Sequence, residues 1–140
     1  MRHQIVLDTN VLVAALRSRH GASHQLLMTV ADGTWKANVS VALALEYEDV
    51  LKRGLMSLTA QDVDDFLDYL LSCSNLVPIF YRWRPVLPDA DDDRILEVAV
   101  RCQAAIVTFN RRDFVAAAQF GIQVMSPGEF LAMLEDRPWR

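Results

Sequence analysis

Carboxylates stand where this sequence otherwise builds core. The stretch IVLDTNVLVAAL, Ile5 to Leu16, is apolar except for Asp8, Thr9 and Asn10 at its middle. PDADDD places Asp89, Asp91, Asp92 and Asp93 directly ahead of a helical run. Glu46 lies among Ala42, Leu43 and Leu45 in SVALALEYEDVL, and TFNRRDF brings Thr108, Asn110 and Asp113 after the apolar AAIV. Bunched carboxylates repel one another, and a helix dipole returns only ~0.3–1 kcal/mol to each, within its first turn. A hard divalent cation such as Mg²⁺ or Mn²⁺ neutralises such a cluster through one or a few carboxylates plus water. Each motif also has a plainer account. Asp8 or Asn10 caps a helix for about 1 kcal/mol, Asn110 does the same later in the chain, and PDADDD reads equally as a solvated acidic loop.

Other chemistries fit less well. Asp89, Asp91 and Asp93 match the opening of an EF-hand loop, but its sixth and twelfth positions need Gly and Glu and carry Arg94 and Val100. His20 and His24 have helical zinc-site spacing, yet no Cys or further His lies near them in sequence, and they read as exposed surface residues. A strand-end Asp followed by Thr also suits a phosphoaspartate enzyme. That chemistry wants an Asp two residues on and a late Lys; here there is Asn10, and no Lys follows Lys52.

The elements that must position these groups alternate. HQIVLD is a short buried strand and NVLVAALR a helix. SHQLLMTVADG is a helix with Ser23 as cap and Gly33 as stop. TWKANVS is a strand and VALALEYEDVLKRG a helix with Leu43, Tyr47, Val50 and Leu51 on one face. LTAQDVDDFLDYLLSCS opens with Thr59 three residues before Asp62, a capping-box signal. NLVPIFY is a strand that Pro78 confines to an edge or an early end, and RWRPVLPDA is a loop. DDDRILEVAVRCQA is a helix, AAIVTF a strand, NRRDFVAAAQFG a helix closed by Gly121, IQVMS a strand and PGEFLAMLE a helix. Continuous apolar strands separated by helices imply a parallel sheet covered on both faces. Ligands of such sheets bind beyond the carboxyl ends of the strands, where Asp8 falls.

Composition sets the class. At 140 residues the chain is read as one domain, 1–140, long enough to bury roughly two-thirds of its unfolded surface without disulfides. Net charge is −4, so no global basic field draws nucleic acid. Lys36 and Lys52 are the sole lysines among 14 cations; the rest are Arg, suited to planar contacts with phosphate or carboxylate. No apolar run reaches the ~18 residues of a membrane helix and no leader is legible. The expectation is a cytoplasmic protein with Cys73 and Cys102 reduced and buried.

LDTNVL, SVALALE, DDDRILEVAV and TFNRRDF, in that order, resemble the PIN domain family, and within it toxin components of toxin–antitoxin modules similar to VapC. The resemblance runs from Ile5 to about Leu134. It implies a three-layer α/β/α sandwich with a central, mainly parallel sheet, and Mg²⁺- or Mn²⁺-dependent ribonuclease activity. It assigns Asp8 to the first metal-binding Asp, Glu46 to the helical Glu and Asp93 to the third acid, with Asp91 and Asp92 as further candidate ligands. At the fourth acidic position this chain has Asn110, and Asp113 is the nearby source of charge. Asn10, Ser40, Thr108 and Asn110 are then expected to orient carboxylates or water. Arg17, Arg19, Arg111 and Arg112 are expected to contact an RNA substrate, and Tyr81 to Arg84 to stack on bases or pack at a surface. The same resemblance implies an antitoxin partner that inserts an Arg toward the acids, and a homodimer, for which the helix pair between Ser40 and Cys73 is the candidate surface. The competing reading is a catalytically impaired PIN-like module that binds nucleic acid or protein; Asn110 is its support.

Overall fold

The computed structural model describes residues 3–54, 57–79, 87 and 89–135. The Tyr81–Arg84 run and most of the loop around it lie outside the described residues. Five strands form one sheet in the order β3-β2-β1-β4-β5, and every pairing is parallel. Helices flank the sheet. Order along the chain is β1 (His3–Leu7), α1 (Thr9–Arg17), α2 (Ala22–Leu27), a 3-10 turn (Val30–Asp32), β2 (Trp35–Val39), α3 (Val41–Gly54), α4 (Ala60–Ser72), β3 (Asn75–Leu76), α5 (Ala90–Cys102), β4 (Ala105–Val107), a 3-10 segment (Arg111–Phe120), β5 (Val124–Met125) and α6 (Pro127–Glu135). This is the α/β sandwich expected, with its sheet wholly parallel among the described strands.

The central strands are the most buried. Ile5, Val6, Leu7, Ala37, Val39, Ile106 and Val107 are all sealed from solvent, as a sheet covered on both faces requires. The chain runs β1 to β2 to β3 toward one edge, then returns past β1 to place β4 and β5 on the other side. The order therefore reverses between β1 and β4. A crevice opens at such a reversal, beyond the carboxyl ends of the two strands.

Local signals explain most boundaries. Thr59 and Asp62 exchange side-chain and backbone hydrogen bonds in a capping box at α4. β3 is two residues long and lies at the sheet edge, where Pro78 stops further pairing. Gly33 and Gly121 have φ of +80° and +73° where helical segments turn back toward strands, a conformation that favours glycine.

Several expectations are corrected. Ser23 lies inside α2, whose N-cap is Gly21; the helix ends at Leu27, and the 3-10 turn follows. NRRDFVAAAQF is 3-10 rather than α-helical, with a kink at Phe114. His24 is half-buried with Nδ1 3.3 Å from the Ala15 carbonyl. Cys73 and Cys102 are free thiols but only half-buried. Among the described residues no helix is long and apolar enough to cross a membrane.

Candidate metal centre

Asp8 follows β1 directly and serves as N-cap residue of α1, without a side-chain capping hydrogen bond. Its backbone N–H donates to the Val107 carbonyl at 2.9 Å, so the residue is fixed at the β1–β4 reversal. Its carboxylate accepts from Thr108 Oγ1 at 2.7 Å. Thr108 in turn accepts from the Asn110 N–H at 2.9 Å, which orients the hydroxyl proton toward Asp8. The two carboxyl-end residues of β1 and β4 thus meet through 100 residues of sequence separation.

Glu46 arrives from α3. Ser40 accepts from the Leu43 N–H at 3.1 Å and so caps that helix. Leu43, Tyr47 and Leu51 bury its inner face, and Tyr47 donates to the Leu7 carbonyl at 2.6 Å, directly before Asp8. Helix and strand are therefore locked together, and Glu46, one residue before Tyr47, is held beside α1. Thr9 donates to Glu46 Oε2 at 2.7 Å. Arg94, from α5, donates to Glu46 Oε1 at 3.0 Å and to Asp91 Oδ1 at 2.7 Å.

The resemblance assigns the third acid to Asp93, and the acids around it have distinct surroundings. Asp89 caps α5, accepting from the Asp91 N–H at 2.9 Å. Asp93 Oδ1 accepts from the Leu87 N–H at 3.0 Å, a local structural bond. Asp92 is the residue that feels Asp8, Asp113 and Glu46 as well as Asp89: burial first, then these like charges, push its carboxyl up to about 7. Asp92 also shares the buried stripe of Ile95, Leu96 and Ala99 at helical spacings of three, four and seven. Asp91 is turned to Arg94. Of the three, Asp92 is the one whose electrostatic neighbours include Asp8 and Glu46.

Burial raises the Asp8 carboxyl as well, opposed by the Thr108 hydrogen bond and reinforced by Asp113. For Glu46, burial and then Asp91 raise it, against Thr9 and Arg94. Acids whose ionised forms are penalised by burial and by one another lose that penalty when a cation joins them. The donors are carboxylate oxygens, and the buried Oδ1 of Asn10 lacks a hydrogen-bond partner. Among the described residues no three His, Cys, Asp or Glu side chains stand close enough together to hold a metal ion by themselves. Carboxylate and amide oxygens are the donors of a hard ion such as Mg²⁺ or Mn²⁺, which keeps several waters and takes few carboxylates.

The remaining expectations divide. Asn110 and Asp113 line an open depression of about 660 Å³ with Phe109, Arg111 and Arg112. Arg111 is paired with Glu129 at 3.2 Å. Arg17 and Arg19 lie at or beyond the far end of α1, about 13 Å along the axis from the helix start beside Asp8, and so do not border the acids. Sequence reasoning missed three residues: Thr9, Tyr47 and Arg94. Thr9 was legible as a hydroxyl beside Asp8, but its link to Glu46 depends on the packing of α3.

Comparisons with known proteins agree with this architecture. Residues 4–112 match the family model described as PIN domain. No curated protein matches by sequence. A PilT N-terminus domain protein from Sulfolobus solfataricus is similar in structure, with a TM-score of 0.61, 14% identity and 98% of each chain covered. The VapBC-1 structure from nontypeable Haemophilus influenzae also has a TM-score of 0.61 at 14% identity, over 89% of this chain and 98% of that one. VapBC2 from Rickettsia felis, bound to a DNA fragment from its promoter, gives 0.57 at 14% identity, over 88% and 97%. With its acids at the carboxyl edge of a parallel sheet and most of its length matched by one family model, this chain belongs to the PIN domain family.

Proposed function

We propose that this chain is a metal-dependent endoribonuclease and the toxin of a toxin–antitoxin pair. The observation that carries the reading is the pair of hydroxyl contacts at the carboxyl edge of the sheet: Thr108 holds Asp8, and Thr9, the residue after Asp8, holds Glu46 from α3, at 2.7 Å each. Asp8, Glu46 and Asp92 would hold Mg²⁺ or Mn²⁺. Such an ion lowers the pKa of water and stabilises charge developing on a scissile phosphate.

The chain's own residues prepare that chemistry. Thr108 and Thr9 fix one oxygen of Asp8 and one of Glu46, limiting each carboxylate to a single orientation. Asp113 supplies negative charge within reach of Asp8 and Asp92, which compensates for Asn110 at the fourth acidic position. That charge weighs against the impaired-module reading. Arg112, exposed beside Phe109 in the neighbouring depression, would hold an RNA phosphate. Likeness in fold to two VapBC structures supports an antitoxin as partner. Exposed Val41 and Leu45 on α3, with Tyr69 on α4, support the α3–α4 pair as the homodimer surface.

The test is cleavage of single-stranded and structured RNA with Mg²⁺ or Mn²⁺, comparing wild type with Asp8→Asn. Loss of a direct ligand should cost about a hundredfold or more, since residues that merely orient ligands cost ~10–100-fold. Equal cleavage by the variant overturns the reading.

A further inference from the structure

Arg94 reaches from α5 to α3 and lays a single guanidinium nitrogen, Nη1, against Glu46 Oε1 at 3.0 Å and Asp91 Oδ1 at 2.7 Å. Thr9 already holds the other Glu46 oxygen, so both oxygens of this carboxylate are engaged. The Glu46 side chain is 10% exposed, that of Arg94 44% and that of Asp91 61%. A permanent brace would use the two-pronged arginine–carboxylate fork, which is stronger and directional. One nitrogen divided between two carboxylates at a half-exposed rim is a weaker attachment. Its place is nonetheless specific: the mouth of a cluster in which Asp8, Glu46, Asp92 and Asp113 repel one another.

We propose that Arg94 is a built-in place-holder cation, which occupies Glu46 in the metal-free protein and yields it when a divalent ion enters. The inference rests on the metal-dependent reading above. Arginine and ion compete for the same carboxylate, and their like charges disfavour each other at close range. Arg94 therefore weakens metal binding and sets the concentration at which the site fills. Asp91 lies three residues before Arg94 on α5 and keeps its hold when Glu46 is released. Asp91 is then a tether for the arginine rather than a ligand.

Isothermal titration of the whole chain with Mn²⁺ tests this, comparing wild type with Arg94→Gln, and thermal melts with and without Mn²⁺ accompany it. The half-exposed side chain makes the variant compatible with folding. Removing one charge near the ion should tighten Mn²⁺ binding about fivefold. The Tm of the metal-free variant should fall, while its rise on adding Mn²⁺ should exceed that of wild type. Mn²⁺ binding that is unchanged or weakened in the variant, with wild type binding normally, overturns the place-holder and makes Arg94 a brace for Glu46. Absence of Mn²⁺ binding to both proteins at millimolar concentration overturns the metal-dependent reading itself, and this inference with it.

Discussion

The two ends of the parallel sheet are both concave and chemically opposite. At the carboxyl edge, Asp8, Thr108 and Ser40 follow strands β1, β4 and β2, and α1, α3 and α5 begin there or nearby with Asp8, Ser40 and Asp89 at their starts. Helix starts present unpaired N–H groups and favour negative charge, so carboxylates are tolerated at this edge. At the amino edge helical segments end. Gly33, Gln103 and Gly121, all left-handed, turn the chain into β2, β4 and β5. The cavity there, about 260 Å³, has no carboxylate in its lining, which includes Gln4, Gln103, Gln123 and Phe130. Phe130 meets Trp35 and His3 edge-on, with ring centroids 6.2 and 5.9 Å apart. A cavity alone does not make a site. One edge concentrates charge at the cost of repulsion, and the other closes the core.

Substitutions should separate these roles. The largest effect belongs to the amino edge: Phe130→Ala, at a fully buried ring, should cost about 3–5 kcal/mol of stability in urea unfolding. The folded fraction should keep its cleavage rate. A lost rate at intact stability would give the amino edge a chemical role and break the contrast.

Two neighbouring acids sharpen it next. Asp92→Asn should lower RNA cleavage about a hundredfold. Asp93→Asn, whose Oδ1 can still accept from Leu87, should stay within about threefold of wild type. The reverse ranking would restore Asp93 as the third acid. Thr108→Val, which strips Asp8 of its donor and Asn110 of its acceptor, should reduce cleavage about tenfold, measured at saturating Mn²⁺.

The smallest effect is on stability against pH. Asp92 titrates near 7 when folded and near ~4 when unfolded. Between those values the folded protein holds the extra proton, so metal-free stability should fall as pH rises from about 4 to 7. Melting scans across that range should show a shallower decline for Asp92→Asn. An equal decline in both would mean that other groups carry it.

Much of this was legible in the sequence because local rules governed it. Asp8 interrupts an apolar strand, VALALEYEDVLKRG bounds α3 correctly, Pro78 shortens an edge strand, and Thr59 with Asp62 caps α4. The choice among Asp91, Asp92 and Asp93 was harder. Three identical residues give no contrast, and each step along a helix turns the side chain by about 100°. Only the spacing to the buried Ile95, Leu96 and Ala99 distinguishes Asp92. Arg17 and Arg19 were misplaced because a helix that starts at one edge of a sheet ends at the other. Arg94 was invisible because its partner, 48 residues away, is brought near by packing of α3 against α5.

The acidic crevice is held on one side by Tyr47 and bridged on the other by a side chain at its rim. Its buried hydroxyl clamps α3 to the peptide just ahead of Asp8, so retracting that wall strands a polar group in the core. The α5 wall reaches Glu46 through a guanidinium in contact with water. Accommodation of anything bulky should therefore come from the Arg94 side chain, with α3 serving as the anvil.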